Sequence, residues 1–137
     1  MFEPLEGGCL CGAVRYRITK EPLDSDYCHC RMCQKSSGAP VQVSAEIPAD
    51  GFAFIKGEVK SYRSSPRASR QFCPTCGSQL TFRVDATPTI VSVNTPTLDN
   101  PDAVPPRRHI WCESRIAWFD TADDLPRHDR KGPAVDT

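Results

Sequence analysis

The sequence predicts a mainly β fold of short antiparallel strands, and three observations carry that prediction. Apolar residues recur at every second position in several separate stretches, no window holds a sustained apolar stripe of period 3.6, and 13 of the 137 residues are proline, which breaks helices. Seventeen basic and 17 acidic side chains leave no formal net charge, so nucleic acid is not expected as a partner. No run approaches the roughly 20 apolar residues of a membrane-spanning helix, and Met1-Phe2-Glu3-Pro4-Leu5-Glu6 lacks the basic and apolar regions of a leader. No membrane association is expected, and the expected compartment is cytoplasmic.

The strands follow in order. Val14, Tyr16 and Ile18 alternate with Arg15, Arg17 and Thr19, and Val41, Val43, Ala45 and Ile47 alternate with Gln42, Ser44 and Glu46. Phe52-Ala53-Phe54-Ile55 and Thr89-Ile90-Val91-Ser92-Val93 are short apolar runs, and Leu80, Phe82 and Val84 alternate with Thr81 and Arg83. Turns are expected at Gly7-Gly8, Gly38-Ala39-Pro40, Asp50-Gly51 and Asp99-Asn100-Pro101. The polar stretch from Ser61 to Arg70, with Arg63, Arg67 and Arg70, reads as a solvated loop in preference to an anion-binding one. Helical turns are expected only after Cys33 and before Pro126. One domain is expected over residues 1–125, followed by a disordered tail over 126–137, whose only apolar anchor is Val135.

Eight cysteines stand at Cys9, Cys11, Cys28, Cys30, Cys33, Cys73, Cys76 and Cys112, spaced as C-x-C, C-x-C-x-x-C, C-x-x-C and a singleton. Such clusters suit a soft-tolerant cation such as zinc, whereas two cysteines one residue apart rarely reach disulfide geometry. Four thiolates make a closed structural site, and three leave a position open to a substrate or water. Phe72-Cys73-Pro74-Thr75-Cys76-Gly77 resembles a rubredoxin-type knuckle that supplies two ligands and needs two more. Gly8-Cys9-Leu10-Cys11-Gly12 offers them, leaving Cys28, Cys30 and Cys33 as a group of three. Pairing the knuckle with the latter group is the competing allocation, and spacing alone leaves it open.

Those motifs, with Cys28-His29-Cys30-Arg31-Met32-Cys33-Gln34-Lys35-Ser36-Ser37-Gly38, with Thr97-Leu98-Asp99-Asn100-Pro101 and with His109-Ile110-Trp111, Ser114 and Trp118, resemble the glutathione-dependent formaldehyde-activating family, also called the centromere protein V family. The resemblance covers about residues 6 to 120. It implies a β-tent zinc fold with two zinc sites and carbon–sulfur lyase chemistry. It implies a structural Zn2+ on Cys9, Cys11, Cys73 and Cys76, and an active-site Zn2+, held less firmly, on Cys28, Cys30 and Cys33, which are the candidate catalytic residues. The implied substrates are a small thiol such as glutathione and a small aldehyde.

Each remaining candidate has a plainer reading beside the functional one. His29, between two ligand positions of an extended segment, is expected to pack and not to ligate. His109 could orient a substrate or donate a proton, or serve as a hydrogen-bonded structural residue. Cys112 is expected to be a small buried hydrophobe. Arg31, Lys35, Arg107 and Arg108 are candidates for gripping the carboxylates of glutathione. Trp111, Trp118 and Phe119 could wall a pocket or fill the core. The alternative function class is a non-catalytic zinc module that binds a protein or small ligand. Methionine sulfoxide reductase chemistry would need an activated spare thiol, and Cys112 is the one thiol outside the clusters.

Overall fold

Alternating apolar residues need a surface to cover, and in this chain they meet between two sheets. The computed structural model describes residues 2–133. The strands are β1 (Leu5–Gly8), β2 (Arg15–Ile18), β3 (Asp24–Cys28), β4 (Gln42–Pro48), β5 (Phe52–Lys56), β6 (Lys60–Ser65), β7 (Ala68–Phe72), β8 (Gln79–Val84), β9 (Ile90–Asn94) and β10 (Arg108–Ile110). A helix, α1 (Arg31–Ser37), joins β3 to β4. A three-stranded sheet has the order β1-β2-β5, and a seven-stranded sheet the order β10-β3-β4-β9-β8-β7-β6. The pairings are antiparallel as expected except at one edge, where β10 runs parallel to β3.

The core lies where Val14, Tyr16 and Ile18 of the small sheet and its approach meet Ala45, Ile47, Leu80, Val91 and Val93 of the large one, closed by Leu98 and Val104. Tyr16 is fully buried yet satisfied, its hydroxyl 2.7 Å from Thr97 Oγ1. Burial pushes its phenol up to about 12. Gly7 permits this packing, because a Cβ there would lie 2.5 Å from both the Tyr16 hydroxyl oxygen and the Thr97 carbonyl oxygen.

Three expectations need correction. Ser61 to Arg70 is not a loop but most of a hairpin, β6 paired with β7, turning at Pro66-Arg67. Its apolar content is too low for periodicity to reveal it, and cross-strand hydrogen bonds hold it. The helical turn expected after Cys33 begins earlier, at Arg31, and the stretch before Pro126 is irregular. The tail does not leave the domain at residue 125. Pro126 and His128 exchange backbone hydrogen bonds with His109, and the Arg130 carbonyl accepts from the Trp111 N–H. Backbone pairing anchors these residues without any apolar side chain. Residues 134–137 of the expected tail, including Val135, lie outside the described residues.

Candidate metal centres and the adjoining cavity

The two cysteine groups form where short loops leave strand ends. Cys9 and Cys11 sit between β1 and β2, where the Val14 N–H points at Cys9 Sγ at 3.3 Å. Between β7 and β8, the Cys76 N–H points at Cys73 Sγ at 3.5 Å, and the Gly77 N–H donates to the Cys73 carbonyl at 2.8 Å. This is the expected knuckle, with Gly77 at φ 78° completing its turn. Leu10 N–H to Ser78 Oγ, 3.1 Å, ties the two loops together. Four sulfurs, from Cys9, Cys11, Cys73 and Cys76, come within 4.8 Å of one another. The S···S separations of 3.6 Å (Cys9–Cys11) and 3.9 Å (Cys11–Cys73) bracket the edge of a tetrahedron with metal–sulfur bonds of about 2.3 Å. The donor set therefore fits zinc.

Cys28, Cys30 and Cys33 form a second group within 4.8 Å. Cys28 ends β3, and Cys30 caps α1, its Sγ accepting the Cys33 N–H at 3.2 Å. Gly38, at φ 68°, closes the helix after Ser37, its N–H donating to the Gln34 carbonyl. Crowded thiols divide their protons unevenly. Hydrogen bonds from Cys28 and Cys33 pull Cys30 down to about 2, while Cys30 and Cys33 push Cys28 up. Cation binding would release the protons that remain.

A cavity of about 420 Å³ opens on this three-cysteine group and on no other cysteine. Its wall is one face of the large sheet. Asp26 and Cys28 of β3, Gln42, Ser44 and Glu46 of β4, Ser92 and Asn94 of β9, Phe82 of β8 and Arg70 of β7 line it. The alternate residues, Ala45, Ile47, Val91 and Val93, enter the core. The polar half of the alternation thus faces a cavity and not open solvent.

Arg70 was assigned by sequence to a solvated loop, yet it is 6% exposed. Its guanidinium lies 4.8 Å over the Phe82 ring, donates through Nη1 to Gln42 Oε1 at 3.1 Å and brings Nη2 within 3.8 Å of Cys33 Sγ. At the other end of the wall, Asp26 is 1% exposed, and burial followed by the nearby Glu46 charge pushes its carboxyl up to about 7. Glu46 is raised as well, chiefly by burial, and accepts from Ser92 Oγ at 2.7 Å. Alternation with apolar partners marks Glu46 as part of one strand face, whereas Asp26 and Arg70 lie in stretches without it, and no sequence signal separates buried from solvated polar residues.

Of the cationic candidates, Arg31 lines the cavity and donates to Gln34 Oε1. Lys35 and Arg107 do not line it, and Arg108 pairs with Asp24 at 3.4 Å. Trp111 forms part of the wall and is the one described non-glycine residue at positive φ, 58°. Trp118 is exposed and Phe119 lies beside His29. Cys112 is half-buried instead of fully buried and belongs to neither cluster.

His29 points away from the sulfurs, as expected. Its Nε2 lies 2.8 Å from His109 Nδ1, and His109 Nε2 lies 3.1 Å from Asp123 Oδ1. With the carboxylate accepting from His109 Nε2–H, His109 Nδ1 must accept from His29 Nε2–H. The His109 ring stacks with those of both His29 and Tyr27. His109 is fully buried among them and reads as structural. His109→Ala should therefore cost about 3 kcal/mol of stability, read by urea unfolding, because it opens a cavity and leaves both His29 ring nitrogens without a partner.

Residues 4–114 match the family model described as "Glutathione-dependent formaldehyde-activating enzyme". The chain belongs to this glutathione-dependent formaldehyde-activating family. A Halomonas elongata protein that carries that enzyme name provisionally is 28% identical over 127 residues, 85% of this chain and 80% of the relative. An uncharacterized lyase of Schizosaccharomyces pombe is 31% identical over 77 residues, 56% of each chain. A crystal structure of a Rhodobacter sphaeroides protein shares the fold at a TM-score of 0.59 and 25% identity, covering 72% of this chain and 93% of that one. No described helix of this family member is long and apolar enough to cross a membrane.

Proposed function

We propose that the protein is a zinc-dependent carbon–sulfur lyase that forms or cleaves the S-hydroxymethyl adduct of glutathione or a similar small thiol. The observation that supports this most is the contrast between the clusters. Four cysteines form a complete donor set in one place, while three open on a 420 Å³ cavity in another. A purely structural module has no use for an incomplete set facing a cavity. The names borne by the family and by the Halomonas elongata relative support the same substrates.

In this reading Cys28, Cys30 and Cys33 hold the active-site metal and Cys9, Cys11, Cys73 and Cys76 the structural one. Zinc bound by these three thiolates would lower the pKa of an incoming thiol. The chain's own residues do the rest. Arg70 offsets the negative charge of the sulfurs, and Gln42 fixes its guanidinium by accepting from Nη1 while donating to Asn94 Oδ1 at 3.2 Å. Phe82 and Trp111 exclude water from one side. The sulfur lone pair forms the bond to the aldehyde carbon, the carbonyl π pair moves to oxygen, and the proton lost by the thiol ends on that oxygen. The reverse sequence breaks the carbon–sulfur bond.

The test is NMR exchange spectroscopy of formaldehyde with glutathione, cysteine and other thiols. The zinc-loaded protein should accelerate adduct exchange above the spontaneous rate, and Cys33→Ser should lose at least a hundredfold of that acceleration while keeping the fold and one zinc per chain. Unchanged turnover in Cys33→Ser would remove the catalytic assignment. No acceleration with any thiol would favour the non-catalytic binding module.

A further inference from the structure

We propose that the end of the cavity remote from the sulfurs is an ammonium-binding subsite, in which Asp26 and Glu46 hold a primary ammonium group of the thiol substrate. The inference rests on the reading of this cavity as a thiol site and narrows the thiol to an aminated one.

The first observation is an unanswered buried acid. Asp26 is 1% exposed, and neither carboxyl oxygen has a hydrogen-bond partner among the described residues. A buried carboxyl without partners is costly unless something fills its place. The groups around it do not supply the missing charge. Neutral Ser44 stands opposite it on β4, Glu46 lies one alternation further along that strand opposite Asp24, and Arg108 approaches from β10. Arg108 commits Nε to Asp24 at 3.4 Å and Nη1 to the Pro133 carbonyl, leaving Nη2 at 4.0 Å from Asp26. One guanidinium therefore serves three carboxyl groups, and the two that line the cavity are the ones left short.

The second observation is the placement of that acid relative to the sulfurs. Asp26 and Cys28 share a face of β3 one alternation apart, about 7 Å along the strand. Arg70 approaches Cys33 at the sulfur end. The cavity is thus cationic beside the cluster and acidic beyond it. A thiol whose ammonium lies several bonds from sulfur, as the glutamyl ammonium of glutathione does, meets both ends with the correct sign. In cysteine only two carbons separate sulfur from nitrogen, too few to bridge that spacing. An ammonium offers three donors, enough for Asp26 together with Glu46 Oε1, whose partner oxygen already takes Ser92.

The experiment compares glutathione with N-acetylglutathione, which keeps the thiol and both carboxylates and loses only the ammonium. Calorimetric titration of the zinc-loaded protein should give at least tenfold weaker binding of the acetylated thiol. In the Asp26→Asn/Glu46→Gln double variant, with circular dichroism and zinc content unchanged, the two thiols should bind within about twofold of each other. Should the double variant not fold, Glu46→Gln alone should compress the ratio at least threefold. Equal binding of both thiols to the wild type, or a preference undiminished in the variants, overturns the subsite. A tenfold binding preference without any acceleration of adduct exchange leaves the subsite standing and removes the lyase reading. Equal turnover of both thiols does the opposite, and binding of neither removes both.

Discussion

Cys73→Ser is expected to abolish the cooperative thermal transition of the protein, and to do so far more completely than Cys33→Ser. Cys73 is fully buried and belongs to the main core cluster. Its group draws two sulfurs from the β1–β2 loop of the small sheet and two from the β7–β8 knuckle of the large one, so a metal bound there would fasten the two sheets whose contact makes the core. Ligands more than sixty residues apart in sequence, Cys11 and Cys73, would be joined at one point. Structural zinc in small domains contributes an apparent 10–16 kcal/mol or so, comparable with the roughly 5–15 kcal/mol net stability of a typical domain. Losing it leaves little to oppose unfolding. Elemental analysis of zinc per chain together with thermal circular dichroism decides the matter. A Cys73→Ser protein that keeps two zinc ions and a sharp transition would show that this cluster does not fasten the sheets.

The clusters were legible because cysteines at such short spacings converge, and the structure groups the knuckle sulfurs with those of Cys9 and Cys11. Strands β2, β4, β5, β8 and β9 were legible because each sends apolar side chains to the core or packs them against it. Strand β3, Asp-Ser-Asp-Tyr-Cys, shows no apolar alternation since its Asp26 and Cys28 face the cavity. Strand β10 is three residues long, and β6 is an exposed edge, so neither needs a hydrophobic face. The same physics hid the site's polar residues. Arg70, Asp26 and Glu46 look like solvated charges in sequence, and only the closure of α1 and the residues around Trp111 over the sheet makes their face an interior. Hydrophobic periodicity reports which side chains avoid water, and it is silent about polar groups that a fold surrounds.

Asp26→Asn is expected to stabilise the protein by about 2 kcal/mol at pH 8, an unusual outcome for substitution of a buried residue. The Asp26 carboxyl moves from an ordinary value of 3.8 to about 7 on folding, chiefly through burial. Between those values the native state binds a proton that the unfolded state has released, so stability falls as pH rises through the interval and is lowest above pH 7. A displacement of that size bounds the cost at about 4 kcal/mol for the fully ionised acid, and side-chain movement and water entry reduce it. Asn keeps the shape and removes the ionisation. Below pH 4 the two proteins should therefore differ little, and the advantage of the variant should open between pH 4 and pH 7 and level off above it, reaching roughly 6 °C in melting temperature. Acid loss of metal from the cysteines affects both proteins alike and cancels in the difference. Asp24→Asn, which breaks the 3.4 Å pair with Arg108, should be slightly destabilising at pH 8. A variant advantage independent of pH would mean that packing, and not charge, sets it. If Asp26→Asn gains stability while losing the preference for an aminated thiol, the acid without a hydrogen-bond partner is kept in the cavity for binding at the expense of the fold.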